Sequence, residues 1–242
     1  MTNSEHSLQT IGIVHSPFKE KFGIPRQPGL IKSCSAKIEL IKPFNTPEFV
    51  KELEHFTDIW LIFGFHQNKT DWKAMVRPPR LGGNKKVGVF ASRSPFRPNG
   101  LGLSRVELKE VCILNNKVFL EISCPDIVDG TPIYDIKPYI HYADSNEHAV
   151  CGFAPSAPST QFNIEFSSQA ELDLTQLNNK EYGNLKQLII EVLAQNPRPA
   201  YKKDQEIKPY GFKLYDLNIV WVLNKTTATI EKISKLSLVN DF

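Results

Sequence analysis

Apolar residues that recur at every second position dominate the first 140 residues. A period of two lets a pleated strand bury one face, and it does not fit the stripe of a helix. Ala36, Ile38 and Leu40 alternate with Lys37 and Glu39, and from Arg105 onward Val106, Leu108, Cys112 and Leu114 share one parity. Both segments read as half-buried strands. Asn115-Asn116 then joins the second to Lys117–Ile122 in the manner of a tight hairpin. Asp58–Phe65 is nearly continuous in apolar residues, the pattern of a strand buried on both faces. A single helix signal interrupts: Thr46 as N-cap, Pro47 at the first helical position, then Glu48 to Phe56. Many strands and one short helix predict a barrel or sandwich rather than a doubly wound α/β fold.

Composition changes after Tyr142. Residues 143–160 are rich in small residues, Ser and Pro and lack apolar periodicity, so they read as a linker between residues 1–142 and 161–242. Beyond the linker, Leu185, Leu188, Ile189, Val192 and Leu193 recur at helical spacing until Asn196-Pro197 stops the pattern. A second helix is predicted from Ser168, with Glu171 completing a capping box. Tyr215, Leu217, Ile219, Trp221 and Leu223 then share one face of a strand. The C-terminal part is therefore a small α+β module.

Charge is distributed unevenly. Trp72 to Arg105 holds eight Lys or Arg residues and no Asp or Glu, leaving 21 basic against 26 acidic residues elsewhere in a chain of net charge +3. A single-signed run punctuated by Pro78, Pro79, Pro95, Pro98 and by glycines suits a polyanion or phosphate-rich ligand better than a plain solvated loop. No window approaches the ~18 uncharged apolar residues of a membrane helix. The N-terminal MTNSEHSLQT has no signal core, so a cytoplasmic protein is expected. Cys34, Cys112, Cys124 and Cys151 are irregularly spaced, with no Cys-x-x-Cys pair, and predict neither structural zinc nor a disulfide framework. No metal site is expected.

Phosphate-loop, dinucleotide-loop, nucleophile-elbow and His-Glu-x-x-His motifs are all absent. What stands out instead is a set of polar blocks at strand ends: Lys19–Gly29 (KEKFGIPRQPG), Phe65–Gln67 (FHQ), Arg77–Gly83 (RPPRLGG), Phe90–Ser104 (FASRSPFRPNGLGLS) and Pro125–Tyr139 (PDIVDGTPIYDIKPY). In this order they resemble the TsaA-like β-barrel family, and within it the TrmO proteins. The likeness extends to Gln195–Tyr201 (QNPRPAY) and the Trp221 strand, which are similar to the C-terminal domain of TrmO. The resemblance implies a mainly β chain: an N-terminal barrel that binds S-adenosylmethionine and a smaller α+β domain that binds tRNA. It also implies methyl transfer to the exocyclic amino nitrogen of threonylcarbamoyl-adenosine beside the anticodon, and a homodimer with the cofactor near the subunit interface. Where the family pattern carries Pro after Arg-Pro-Asn, this chain has Gly100.

Carried over block by block, the resemblance implies cofactor contacts at Pro25, Arg26, Gln27, His66, Gln67, Arg93, Leu103, Ser123, Cys124, Pro125 and Asp126. Arg93 suits a carboxylate through its fork of donors, and Asp126 suits ribose hydroxyls or the adenine amine. Taken alone, His66 also reads as a structural histidine, Leu103 as core and Asp129-Gly130 as a turn. The acceptor nitrogen shares its lone pair with purine and acyl group, so Asp126 or Asp129 is expected to orient or accept its proton. For tRNA, Arg77, Arg80, Arg97, Arg198, Lys202 and Lys203 offer phosphate contacts, and Tyr201 a stacking face. Two alternatives remain: a cofactor- or nucleotide-binding barrel that regulates a partner without methyl transfer, and a methyltransferase acting on a small molecule.

Overall fold

The computed structural model describes residues 7–68, 71–115, 117–157, 162–177, 179–198 and 208–236. In chain order the first part contains β1 (Gly12–His15), β2 (Ser35–Leu40), β3 (Asp58–Gly64), a two-stranded ribbon of β4 (Met75–Val76) and β5 (Val87–Gly88), β6 (Leu101–Leu114), β7 (Lys117–Ser123) and β8 (Pro132–Pro138). Six of these close into an antiparallel barrel in the order β1-β2-β7-β6-β3-β8, which leaves that sheet no free edge. The period-two residues point inward: Ala36, Ile38, Leu40, Ile59, Leu61, Phe63, Leu120 and Ile122 are buried in one core. Leu114 pairs with Lys117 as the hairpin predicts, with Asn115 at φ 51.

Local packing corrects four readings. The Thr46–Phe56 helix does not form: two 3-10 turns, Pro47–Val50 and Leu53–His55, are separated by Glu52 at φ 68. Only Val50 of those two turns is buried, so a longer helix would have almost no stripe to cover, and a short helix without tertiary packing is marginal. In β3, Trp60 and Ile62 stay partly exposed, so one face is covered, not two. In β6 the register slips between Leu108 and Glu110. Val111 consequently packs toward the core, and Leu114 is 64% exposed instead of continuing the inward parity. Finally, Cys34 and Cys124 form a disulfide. Ser35 pairs with Ser123 across β2 and β7, which brings the two preceding and following cysteines together although 90 residues separate them. Chain spacing carries no trace of that juxtaposition; strand register creates it.

The short helix α1 (His141–Asp144) ends the barrel part, and residues 145–157 have no regular structure. There follow β9 (Asn163–Phe166), α2 (Ser168–Gln176), α3 (Asn179–Tyr182), α4 (Leu185–Ala194), β10 (Pro209–Leu214), β11 (Leu217–Asn224) and β12 (Thr227–Lys235). The sheet order is β10-β11-β12-β9, with β9 parallel to β12. All five periodic residues of α4 are buried, and Asn184 caps its start by accepting from Gln187 N. Helix α2 is capped one residue earlier than predicted, by the Ser167 hydroxyl accepting from Ala170 N at 3.1 Å, while Glu171 pairs with Lys186. Tyr215 lies in the β10–β11 turn at φ 55, outside the strand it was expected to begin.

The barrel and the second sheet share a core. Phe18, Ile31, Cys34 and Cys124, at one end of the barrel, are buried in the cluster that contains Leu188, Phe212, Leu214 and Trp221. A bridge pairs Phe18 with Leu214, and Tyr215 N donates to Pro17 O at 2.7 Å. That end of the barrel is where the chemically distinctive residues gather.

Candidate functional site

Strand β3 runs out at Gly64 and β7 gives way to residues 124–131 at the same end of the barrel. Between them lies a pocket of about 190 Å³ with Ile24, Phe63, Phe65 and Val128 as apolar walls and Lys21, His66, Gln67 and Asp126 as polar ones. Phe63 closes the floor because residue 102 is glycine: a Cβ there would stand 2.3 Å from the Phe63 ring.

Asp126 reaches inward and accepts a 2.6 Å hydrogen bond from Ser104 Oγ, on the inward face of β6. Burial pushes the Asp126 carboxyl up from its ordinary value, against the pull of the Ser104 hydrogen bond and the nearby Arg93. Asp129 is committed differently. Its Oδ1 accepts from Ser16 N at 2.9 Å and its Oδ2 lies 2.7 Å from Lys19 Nζ, so both oxygens tie β1 to the loop after β7. His66 lies with Nδ1 3.3 Å from Thr131 Oγ1. Burial, then the Lys21 charge, lowers the His66 pKa, and Asp129 opposes them. Lys21 Nζ donates to Gln67 O at 3.1 Å and to Asn68 Oδ1 at 2.8 Å, fixing the segment that leaves β3.

Arg93 joins this pocket to the second module. Its guanidinium donates to Gln27 Oε1, and the Gln27 amide donates to Arg26 O. Arg26 in turn donates from its backbone N–H to Gln195 Oε1 and from Nη2 to Asn196 O, each at 3.4 Å. Burial and the charge of neighbouring Arg80 lower the Arg26 pKa. The Arg198 Nε donates to Asn196 Oδ1 at 3.1 Å, and its guanidinium lies over the Phe162 ring at 5.3 Å. Arg26, Arg80, Arg93 and Arg198 thus come from distant parts of the chain into one linked network outside the pocket lining, where the repulsion between Arg26 and Arg80 favours a bound anion.

Other predicted residues lie elsewhere. Leu103 is 56% exposed on the outer face of β6. Ser123 Oγ accepts from Glu107 N, next to the β6 irregularity. Cys124 is held in its disulfide, and Pro125 is buried beside it without lining the pocket. Arg97 donates to Ser92 O and Ser94 O and so shapes its own loop, while Arg77 is exposed. Tyr201, Lys202 and Lys203 lie outside the described residues. Sequence reasoning missed Lys21, Ser104, Thr131 and Gln195 as participants. Ser104 did carry a signal: a polar residue at an inward parity position, between Gly102 and Val106.

The sequence profile for the tRNA-methyltransferase O N-terminal domain matches residues 13–145, and that for the TrmO C-terminal domain matches residues 159–236. The chain belongs to the TrmO family. It is 47% identical over 220 residues to a protein of Escherichia coli named tRNA (adenine(37)-N6)-methyltransferase, covering 90% of this chain and 93% of that one. A protein of the same name from Eikenella corrodens is 38% identical over 179 residues, covering 74% of this chain and 97% of that one. A crystal structure of TrmO from Pseudomonas aeruginosa superposes with a TM-score of 0.79 at 34% identity, covering 97% of this chain and all of that one. The TrmO barrel mouth fits a sulfonium nucleoside by its donor set: a guanidinium fork for a carboxylate, a carboxylate and an imidazole for hydroxyl and amine donors, and phenyl walls for a purine.

Proposed function

We propose that the chain transfers a methyl group from S-adenosylmethionine to the exocyclic N6 of threonylcarbamoyl-adenosine next to the tRNA anticodon. The family and the high identity to the E. coli tRNA (adenine(37)-N6)-methyltransferase support a tRNA methyltransferase using this cofactor. The single observation that carries the acceptor assignment is the arginine cluster beside the pocket, drawn from both modules, which suits the phosphates of a folded RNA loop better than a small metabolite. In this reading residues 1–142 bind the cofactor, residues 143–160 link, and residues 161–242 face the RNA.

S-adenosylmethionine supplies an electrophilic methyl on sulfur when bound, so the protein has mainly to align the acceptor and manage one proton. Arg93, Gln27, His66 and Gln67 hold the cofactor in this reading. Asp126 would receive the proton that N6 gives up as the N–C bond forms and the methyl–sulfur bond breaks, with the neutral thioether S-adenosylhomocysteine as leaving group. Its raised pKa and its place inside the pocket suit a base, whereas Asp129 has both oxygens engaged by Ser16 and Lys19. Arg26, Arg80 and Arg198 take phosphates in this reading, and Arg77, Lys202 and Tyr201 are carried as further RNA contacts on the sequence resemblance alone. A cytoplasmic homodimer completes the proposal: Leu103 projects from the barrel's outer face beside Ile62, where a second subunit would cover it.

The deciding experiment is transfer of radiolabelled methyl to tRNA from cells able, or unable, to install threonylcarbamoyl-adenosine. Label only on the modified tRNA is the expected result. Label on neither, with cofactor still bound, would favour a binding module instead. Asp126→Asn is expected to lower turnover at saturating cofactor about a hundredfold or more, and wild-type turnover in that variant would remove Asp126 as the base.

A further inference from the structure

Among the described residues, three polar ones are buried, Ser16, Ser104 and Thr131, at 6%, 3% and 3% exposure. All three serve the pocket end of the barrel. Ser16 donates its N–H to Asp129 and its hydroxyl to Ile127 O, Ser104 donates to Asp126, and Thr131 meets His66. Burying a hydroxyl in an apolar barrel is unfavourable unless it is bonded, so its partners indicate what it is for.

The Thr131 hydroxyl has one proton. Its Oγ1 lies 2.7 Å from Val128 O, and a carbonyl can only accept, so that proton points at Val128. If it pointed at His66 instead, two bare oxygen lone pairs would face each other at 2.7 Å. The contact between Thr131 Oγ1 and His66 Nδ1 therefore takes its proton from the imidazole. Two charged groups bear on the ring, Lys21 and Asp129; the Lys21 charge acts with burial to keep it neutral and Asp129 opposes. A neutral ring protonated at Nδ1 leaves Nε2 as a bare acceptor. Nε2 has no partner among the described residues, and His66 lines the pocket.

We propose that Thr131 is a positioning residue that fixes the Nδ1–H tautomer of His66, so that His66 Nε2 accepts a hydrogen bond from a donor of the bound cofactor. The inference rests on the reading of this pocket as the cofactor site. It makes His66 a recogniser of N–H or O–H groups: the α-ammonium, the ribose hydroxyls and the adenine amine of S-adenosylmethionine are the donors of that kind. A histidine locked the other way would present N–H to the pocket, which opposes an ammonium and leaves a hydroxyl to bind only as an acceptor.

Long-range proton–nitrogen NMR of the imidazole reads the tautomer without activity. The wild-type protein should show His66 protonated at Nδ1, with the Nε2 resonance shifting when S-adenosylhomocysteine is added. Thr131→Val should release the ring to the other tautomer and weaken S-adenosylhomocysteine about tenfold by calorimetry, as expected for one lost hydrogen bond. Thr131→Ser should retain both properties. Weakening of 5′-methylthioadenosine as well would assign a donor of the nucleoside, a ribose hydroxyl or the adenine amine, and weakening of S-adenosylhomocysteine alone the α-ammonium. An Nε2–H ring in the wild type, an Nε2 resonance indifferent to ligand, or unchanged affinity in a folded Thr131→Val would each overturn the proposal. No S-adenosylhomocysteine binding at all overturns the cofactor reading with it, whereas loss of tRNA methylation with binding intact touches only the acceptor assignment.

Discussion

Gly100 sits at φ +58 and donates its N–H to Arg97 O at 3.0 Å, while its carbonyl accepts from Phe65 N at 2.8 Å. A proline has neither that φ nor that N–H, so this turn as it stands could not hold a proline at residue 100. Gly100→Pro is accordingly expected to destabilise the fold by more than about 1 kcal/mol, read as a lowered urea midpoint. A proline that stabilised the protein would show that the loop readily adopts the other geometry. Ser104 bears instead on the carboxyl proposed as the base. Its hydrogen bond favours the charged form of Asp126, so Ser104→Ala should raise an already elevated pKa. In its proposed role Asp126 works only when deprotonated, so the acidic limb of the single-turnover pH–rate profile should then move to higher pH. The sign for stability is opposite to that of a salt-bridged carboxylate. A pKa raised by folding gives a contribution that is present at low pH and is lost as pH climbs through the folded-state value, and Ser104→Ala sharpens that loss.

Among the elements, period and burial agree wherever one face alone meets a core. Strand β2 follows its period-two pattern, and α4 buries each of its five periodic residues. The sequence misleads where a local register or a neighbouring element decides. The β6 slip and the Cys34–Cys124 pairing depend on contacts made through strand pairing, while the Thr46–Phe56 helix fails for want of packing to bury it. The site follows the same division. Asp126, His66, Gln67 and Arg93 were legible as polar blocks at strand ends, whereas Lys21 and Thr131 show their roles only once the strands are paired. The α2 start offers a direct check at this scale. Ser167→Ala removes the hydroxyl that accepts from Ala170 N and should cost about 1 kcal/mol in a denaturant titration, while Ser168→Ala should fall well below that. Equal effects would return the cap to Ser168.

At the scale of the whole molecule, the shared core around Phe18, Ile31 and Trp221 makes barrel and second sheet one folding unit. Phe18→Ala should cost about 3–5 kcal/mol, and hydrogen exchange should rise together in β2 and β11; protection lost on one side alone would mean two independent domains. The arginine cluster is also a property of the assembled molecule. Arg198→Ala is expected to weaken tRNA binding and flatten its salt dependence while leaving cofactor affinity unchanged, measured by filter binding across a salt series. The contacts of Arg26 with Gln195 and Asn196 carry one more implication. The loop that carries Arg26, next to the candidate pocket, contacts the corner of the second module that ends α4. On the proposed reading, an RNA that shifts that corner would change the pocket through these contacts, and thermodynamic linkage then requires the pocket's occupant to change RNA affinity by the same factor.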